Sequence, residues 1–220
     1  MMNLIREYDL RRQVKEWKLN TFFVSFYITL SFVLHLLSMH TGMVLGYPVL
    51  SGSLICCLML VVINIVRSYS KANMVWWFIL VSLFCNISAH SYILLIQSVP
   101  STGILPALPI AEVISPRFFS IILVAEGSAI LFFLVDFLMF SLLFHKVKIN
   151  FFLSSYIATI TSLITFTVFL VPTLLIHIYP YDALDLAINS FVVCAVTLVF
   201  YSMLGYFVAS WIENKYLVKL

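Results

Sequence analysis

The sequence predicts an all-α membrane protein, a polytopic bundle of six transmembrane helices. Three observations lead to it. Hydrophobic residues fill 63% of the 220 positions and charged residues 10%, with a mean hydropathy of +1.12, which leaves too little polar surface to clothe a soluble domain. Apolar runs of about 20 residues, the length of helix that crosses a bilayer, recur six times. Lys and Arg gather on one side of the arrangement that those runs define.

The chain opens with a basic segment, 1–20, expected in the cytoplasm. Its text MMNLIREYDLRRQVKEWKL sets Leu4, Tyr8, Val14 and Trp17 among charges, which suits either a topology anchor or an interfacial amphipathic helix. The transmembrane domain is expected over 21–211. Thr21–Met39 follows the basic residues as a signal peptide would, but it is long and ends without the small residues of a cleavage site, so it reads as a retained first helix. Val49–Val66 and Met74–Gln97 give the second and third spans. The connector SVPSTGILPALPIAEVISPR then carries Pro100, Pro106, Pro109 and Pro116, which exclude a continuous helix. Phe118–Phe144, Phe151–Leu175 and Ala187–Trp211 complete the set, and 212–220 forms a cytoplasmic tail.

Orientation follows from the cations. With an internal N-terminus, Arg6, Arg11, Arg12, Lys15, Lys18, Arg67, Lys71, Lys146, Lys148, Lys215 and Lys219 lie inside, and Arg117 lies outside. The positive-inside rule therefore places both termini in the cytoplasm, in a cytoplasmic (inner) membrane. The formal net charge of +3 is thereby explained by topology, and no nucleic-acid partner is expected. Cys56, Cys57, Cys85 and Cys194 sit in apolar runs without metal-ligand spacing, so neither a disulfide framework nor a metal is expected. No cofactor is expected, and an enzyme is the weakest reading, since no nucleophile motif accompanies the acids.

The stretch IILVAEGSAILFFLVDFLMF holds two acids, Glu126 and Asp136. An acid at such a depth costs roughly 2.5–3.5 kcal/mol on insertion scales and marks a functional position by default. Ten helical residues place them about 80° apart around the helix, so that both can face one path. In the third span Ser82, Asn86 and His90 form a polar stripe at four-residue spacing. The second span ends with Asn64 and Arg67, and the fifth carries Ser154, Ser155, Thr159, Thr161, Ser162, Thr165 and Thr167. Plainer readings stand beside these. Membrane Ser and Thr commonly bond back to their own helix, Asn and His join helices to one another, and an arginine at a cytoplasmic helix end snorkels to phosphates. Pro172 and Gly205 read as bends that a membrane helix tolerates. The candidate solute-binding residues are Glu126, Asp136, Asn86, His90, Asn64, Thr159 and Ser162.

Several of these residues carry a resemblance. LGYPVLSGSL at 45–54, INIVR at 63–67 and LVDFLMF at 134–140, with Asp136 and Phe140 in register, resemble the VUT family of queuosine precursor transporters. Ile63 stands where that family has an acid, Phe133 where it has a glutamine, and Thr159–Ser162 where it has Asn-x-x-Asp. The resemblance implies six spans and import of a 7-deazaguanine base.

The expected function is a membrane transporter or substrate-capture protein for a small, planar, polar solute. Phe, Tyr and Trp can stack a flat ring while Glu126, Asn86 or His90 bonds its edge. The alternative is a non-transporting sensor or scaffold whose basic N-terminus meets a cytoplasmic partner. Either reading sits in a lipid bilayer and is compatible with a homo-oligomer or a partner membrane subunit.

Overall fold

The computed structural model describes residues 2–37, 41–44, 46–70, 130–170 and 183–214, together with Trp77, Phe78, Leu80, Val81, Phe84, Cys85 and Ser88, which are helical. Helix dominates, and the first helix, α1, runs unbroken from Met2 to Leu37. The basic segment and the first span are thus one helix rather than two elements. Phe23, Tyr27 and Leu30 are buried at spacings of four and three, while Phe22, Phe26 and Phe32 are exposed. That is a one-sided apolar stripe, and it meets Tyr69, Phe78 and Phe133 of the neighbouring helices.

The second span does not begin at Val49, as its hydropathy suggests. Strands β1 (Thr41–Val44) and β2 (Tyr47–Leu50) form an antiparallel hairpin, with Val44 opposite Tyr47 across a two-residue turn. Gly46 holds φ +85° there, a conformation that favours glycine in tight hairpins. Helix α2 (Ser51–Tyr69) follows directly. An apolar run across the β-to-α junction hid the boundary, and the turn pair Leu45-Gly46 with Pro48 was the local signal for it.

Residues 130–140 are α-helical and continue into a π-helical turn, Ser141–Lys146; together they are α3. The turn closes with Val147 N–H donating to Leu142 O and Ile149 N–H to Leu143 O, and Lys148 takes the left-handed conformation at φ 62°. Asn150 caps the next helix, its Oδ1 accepting from Leu153 N–H at 2.9 Å. Helix α4 spans Phe151–Leu170 and α5 spans Ala183–Ile212.

Helix α2 is central. Every residue from Met59 to Arg67 is buried, as expected of a helix covered on all sides. Contacts fix the directions of its neighbours. Tyr69 at the end of α2 donates to Asn20 Oδ1 of α1 at 3.1 Å, and the short hairpin joins the end of α1 to the start of α2, so α1 runs antiparallel to α2. Asn64 reaches Asp136 and Arg67 lies over Phe137 and Phe140, so α3 runs parallel to α2. Thr159 meets Asp136 and Ser162 meets Phe132, so α4 runs antiparallel to α3. Cys194 Sγ donates to Ser53 Oγ at 3.2 Å and Gly205 abuts Val61, so α5 is parallel to α2. Gly205 is a close-approach glycine rather than a bend: a Cβ there would lie 2.7 Å from Val61 Cγ1 and 3.1 Å from Phe151 Cε1.

Among the described residues four helical segments are long and apolar enough to cross a membrane: Gln13–Leu34, Gly52–Tyr69, Phe151–Val168 and Leu184–Ile212. Their outer faces expose large apolar side chains, among them Val196, Phe200, Met203 and Phe207 on α5. Apolar surface on this scale is compatible with a membrane-embedded protein.

Candidate functional site

The polar side chains of three apolar helices converge on Asp136. Spacing explains the convergence. On α4, Ser155, Thr159 and Ser162 recur at four and three residues and so share a face; all three are buried. On α2, Asn64 and Arg67 lie three apart and share a face likewise. Asp136 projects between those faces from α3, 1% exposed.

Thr159 Oγ1 donates to Asp136 Oδ1 at 2.9 Å. Asn64 Nδ2 donates to the same oxygen at 3.4 Å and to Ser155 Oγ at 3.3 Å. Ser162 Oγ donates to the Phe132 carbonyl at 3.0 Å, tying α4 to α3 one turn away from Asp136. By contrast Thr161 and Thr165 bond back to Ile157 O and Thr161 O of their own helix. The Ser/Thr cluster therefore divides by face into residues that serve the site and residues that satisfy themselves.

Arg67 is 4% exposed. It was expected to snorkel to lipid phosphates; instead its guanidinium lies 4.0 Å from the Phe137 ring centroid and 5.0 Å from that of Phe140. The rings supply a negative face for the cation, and Asp136 attracts it through space. Phe140 also packs on Phe144 and Phe151 at 5.2 and 5.7 Å between centroids, so the aromatic bed is continuous across the α3–α4 junction.

Three polar atoms of this cluster are buried without a hydrogen-bond partner among the described residues: Asp136 Oδ2, Asn64 Oδ1 and Arg67 Nη1. Leaving such an atom unpaired costs about 1–3 kcal/mol, more for a charged group. Three together leave polar capacity that water or another partner can fill. They offer two acceptors and one donor, matching a neutral polar edge or a water molecule, and the two acceptors by themselves suit a small cation.

Of the sequence candidates, Asp136, Asn64 and Thr159 are brought into one hydrogen-bonded group, and Ser162 stands one turn away. Glu126, Asn86 and His90 lie outside the described residues. Ser155 and Arg67 join the site without having been singled out for it. Their signals were the shared helix faces, Ser155 with Thr159 and Arg67 with Asn64. Among the described residues no group of three or more His, Cys, Asp or Glu side chains converges to hold a metal ion. The chain matches no protein-family model, no curated protein and no solved structure.

Proposed function

We propose that the chain is a six-span inner-membrane transporter or substrate-capture protein for a small, planar, polar solute, of the 7-deazaguanine type that its resemblance to the VUT family implies. The observation that carries this reading is the group of open polar atoms on Asp136, Asn64 and Arg67, buried between three helices of an apolar bundle. A carboxylate and a guanidinium at such a place cost several kcal/mol to bury. A planar solute that stacks on Phe137 or Phe140 would take the ring face from the Arg67 guanidinium that now lies there.

The six-span count is supported by helix direction. Helices α2 and α3 run parallel, and a chain that leaves one helix and begins a parallel one must cross the bilayer an odd number of times between them. Helical residues between Trp77 and Ser88 suit that crossing, and the distribution of Lys and Arg supports cytoplasmic termini.

Uptake by proteoliposomes containing the purified chain tests the function. Purine-like and 7-deazapurine bases are offered with and without a pH gradient. Saturable uptake that Asp136→Asn abolishes, compared at equal amounts of inserted protein, is the expected result. If no base is accumulated or retained on the protein, the transport and capture reading fails, and the sensor or scaffold reading takes its place.

A further inference from the structure

The open acceptors of the site point to a ligand besides the solute. We propose that Asp136, Asn64, Ser155 and Thr159 form a binding site for a sodium-type monovalent cation; the inference deepens the transport reading by giving the same site a coupling ion.

Coordination chemistry carries it. Asp136 Oδ2 and Asn64 Oδ1 are buried and accept no hydrogen bond from the described residues. Thr159 Oγ1 donates its proton to Asp136 Oδ1, which leaves its lone pairs free, and Ser155 Oγ accepts once from Asn64 and keeps a second lone pair. The bonds Thr159–Asp136, Asn64–Asp136 and Asn64–Ser155 hold these four oxygen-bearing side chains from α2, α3 and α4 in one contiguous group. Oxygen ligands suit hard cations, whereas thiolate and imidazole select soft or borderline metals. One carboxylate among neutral oxygens balances a single positive charge, and a divalent cation takes more carboxylates or a shell of waters.

Arg67 is the built-in rival. A forked, doubly hydrogen-bonded pair with Asp136 would be the strongest arrangement for both groups. Instead the guanidinium lies on Phe137 and Phe140, leaving Nη1 and Oδ2 both open. The bound cation and Arg67 therefore compete for one carboxylate, and removing the arginine charge should tighten cation binding. A proton on Asp136 would turn Oδ2 into a donor that Asn64 Oδ1 can accept, so the response to sodium at fixed pH is what distinguishes a cation from a proton.

The test is thermal unfolding of the purified full-length protein in detergent, without solute, as sodium chloride replaces choline chloride at fixed ionic strength and pH. Sodium at roughly a hundred times its dissociation constant should raise Tm by roughly 5–10 °C. Asp136→Asn should remove the response, Thr159→Val should raise the half-saturating concentration by about tenfold, and Arg67→Gln should lower it. If Asp136→Asn does not fold, Thr159→Val and Ser155→Ala carry the test. A Tm that is equal in sodium and choline overturns the site, as does a sodium response unchanged in both hydroxyl variants. Failure here leaves uptake of a base untouched, whereas a sodium response in a protein that neither moves nor retains a base keeps the site and removes the transport reading.

Discussion

Asp136 and Arg67 are neighbours that do not grip one another directly, which makes their coupling measurable. Removing either charge strands the other in the bundle, an event that costs roughly 3–5 kcal/mol for buried pairs. Asp136→Asn keeps the shape and an acceptor for Thr159, so its cost should come chiefly from the stranded guanidinium. Arg67→Met strands the carboxylate in turn. The double variant should be less destabilised than the sum of the two by about 0.5–3 kcal/mol, the range for residues in one network; strict additivity in thermal or denaturant unfolding in detergent would show the charges to be independent. Arg67→Lys is not conservative here, because a compact ammonium cannot lie flat on Phe137 and Phe140. It should lower stability by about 1 kcal/mol, the order of one cation–π contact. At this scale the sequence was informative where chemistry conflicts with surroundings. Asp136, Asn64 and Thr159 are polar inside apolar runs, and that conflict identified them. Arg67 carried an ambiguous signal, since a cation near a helix end reads the same whether it snorkels outward or turns into the core.

Among the elements, α5 lies close to α2 because it has no side chain at Gly205. Gly205→Ala inserts a methyl 2.7 Å from Val61 Cγ1, well inside van der Waals contact, and overpacking of this kind costs about 1–3 kcal/mol. Pairing it with Val61→Ala removes the atom it meets and should restore part of that loss; a double variant no more stable than Gly205→Ala alone would mean that the clash is with Phe151 instead. The α3–α4 turn offers the opposite case. Lys148 occupies a left-handed conformation that costs a non-glycine residue roughly 1–2 kcal/mol, so Lys148→Gly should stabilise the protein, by somewhat less than that because glycine also gains freedom when unfolded. A rise of a few degrees in Tm is expected. Hydropathy marked the helices themselves but not these details. A small residue in an apolar run signals a bend, a close approach or neither until its neighbours are known, and strands Thr41–Val44 and Tyr47–Leu50 were masked because their residues are as apolar as the helix they precede.

At the scale of the whole molecule, helix direction constrains what the described helices leave open. Asn64 meets Asp136, and Arg67, one turn further along α2, meets Phe137 and Phe140, further along α3. Advancing together along both helices is possible only if they are parallel. If the chain between them stayed on one side of the bilayer, α3 would return antiparallel, and Lys146 and Lys148 would emerge on the face opposite Arg67 and Lys71. The intervening span of the proposed topology would instead gather all four cations on one face, as the positive-inside rule expects. The six-span arrangement proposed above expects the hairpin of Thr41–Leu50 and the proline-rich connector outside, with both termini in the cytoplasm. Reporter fusions after Ser101 and Leu220, and a single cysteine at Met43, which is 71% exposed, test this in one set. The expected result is an external reporter at 101, a cytoplasmic reporter at 220, and labelling at 43 by an impermeant maleimide added outside intact cells. A cytoplasmic reporter at 101 together with external labelling at 43 would place an even number of crossings between α2 and α3, and the parallel packing of the Asp136 site would then have to be abandoned.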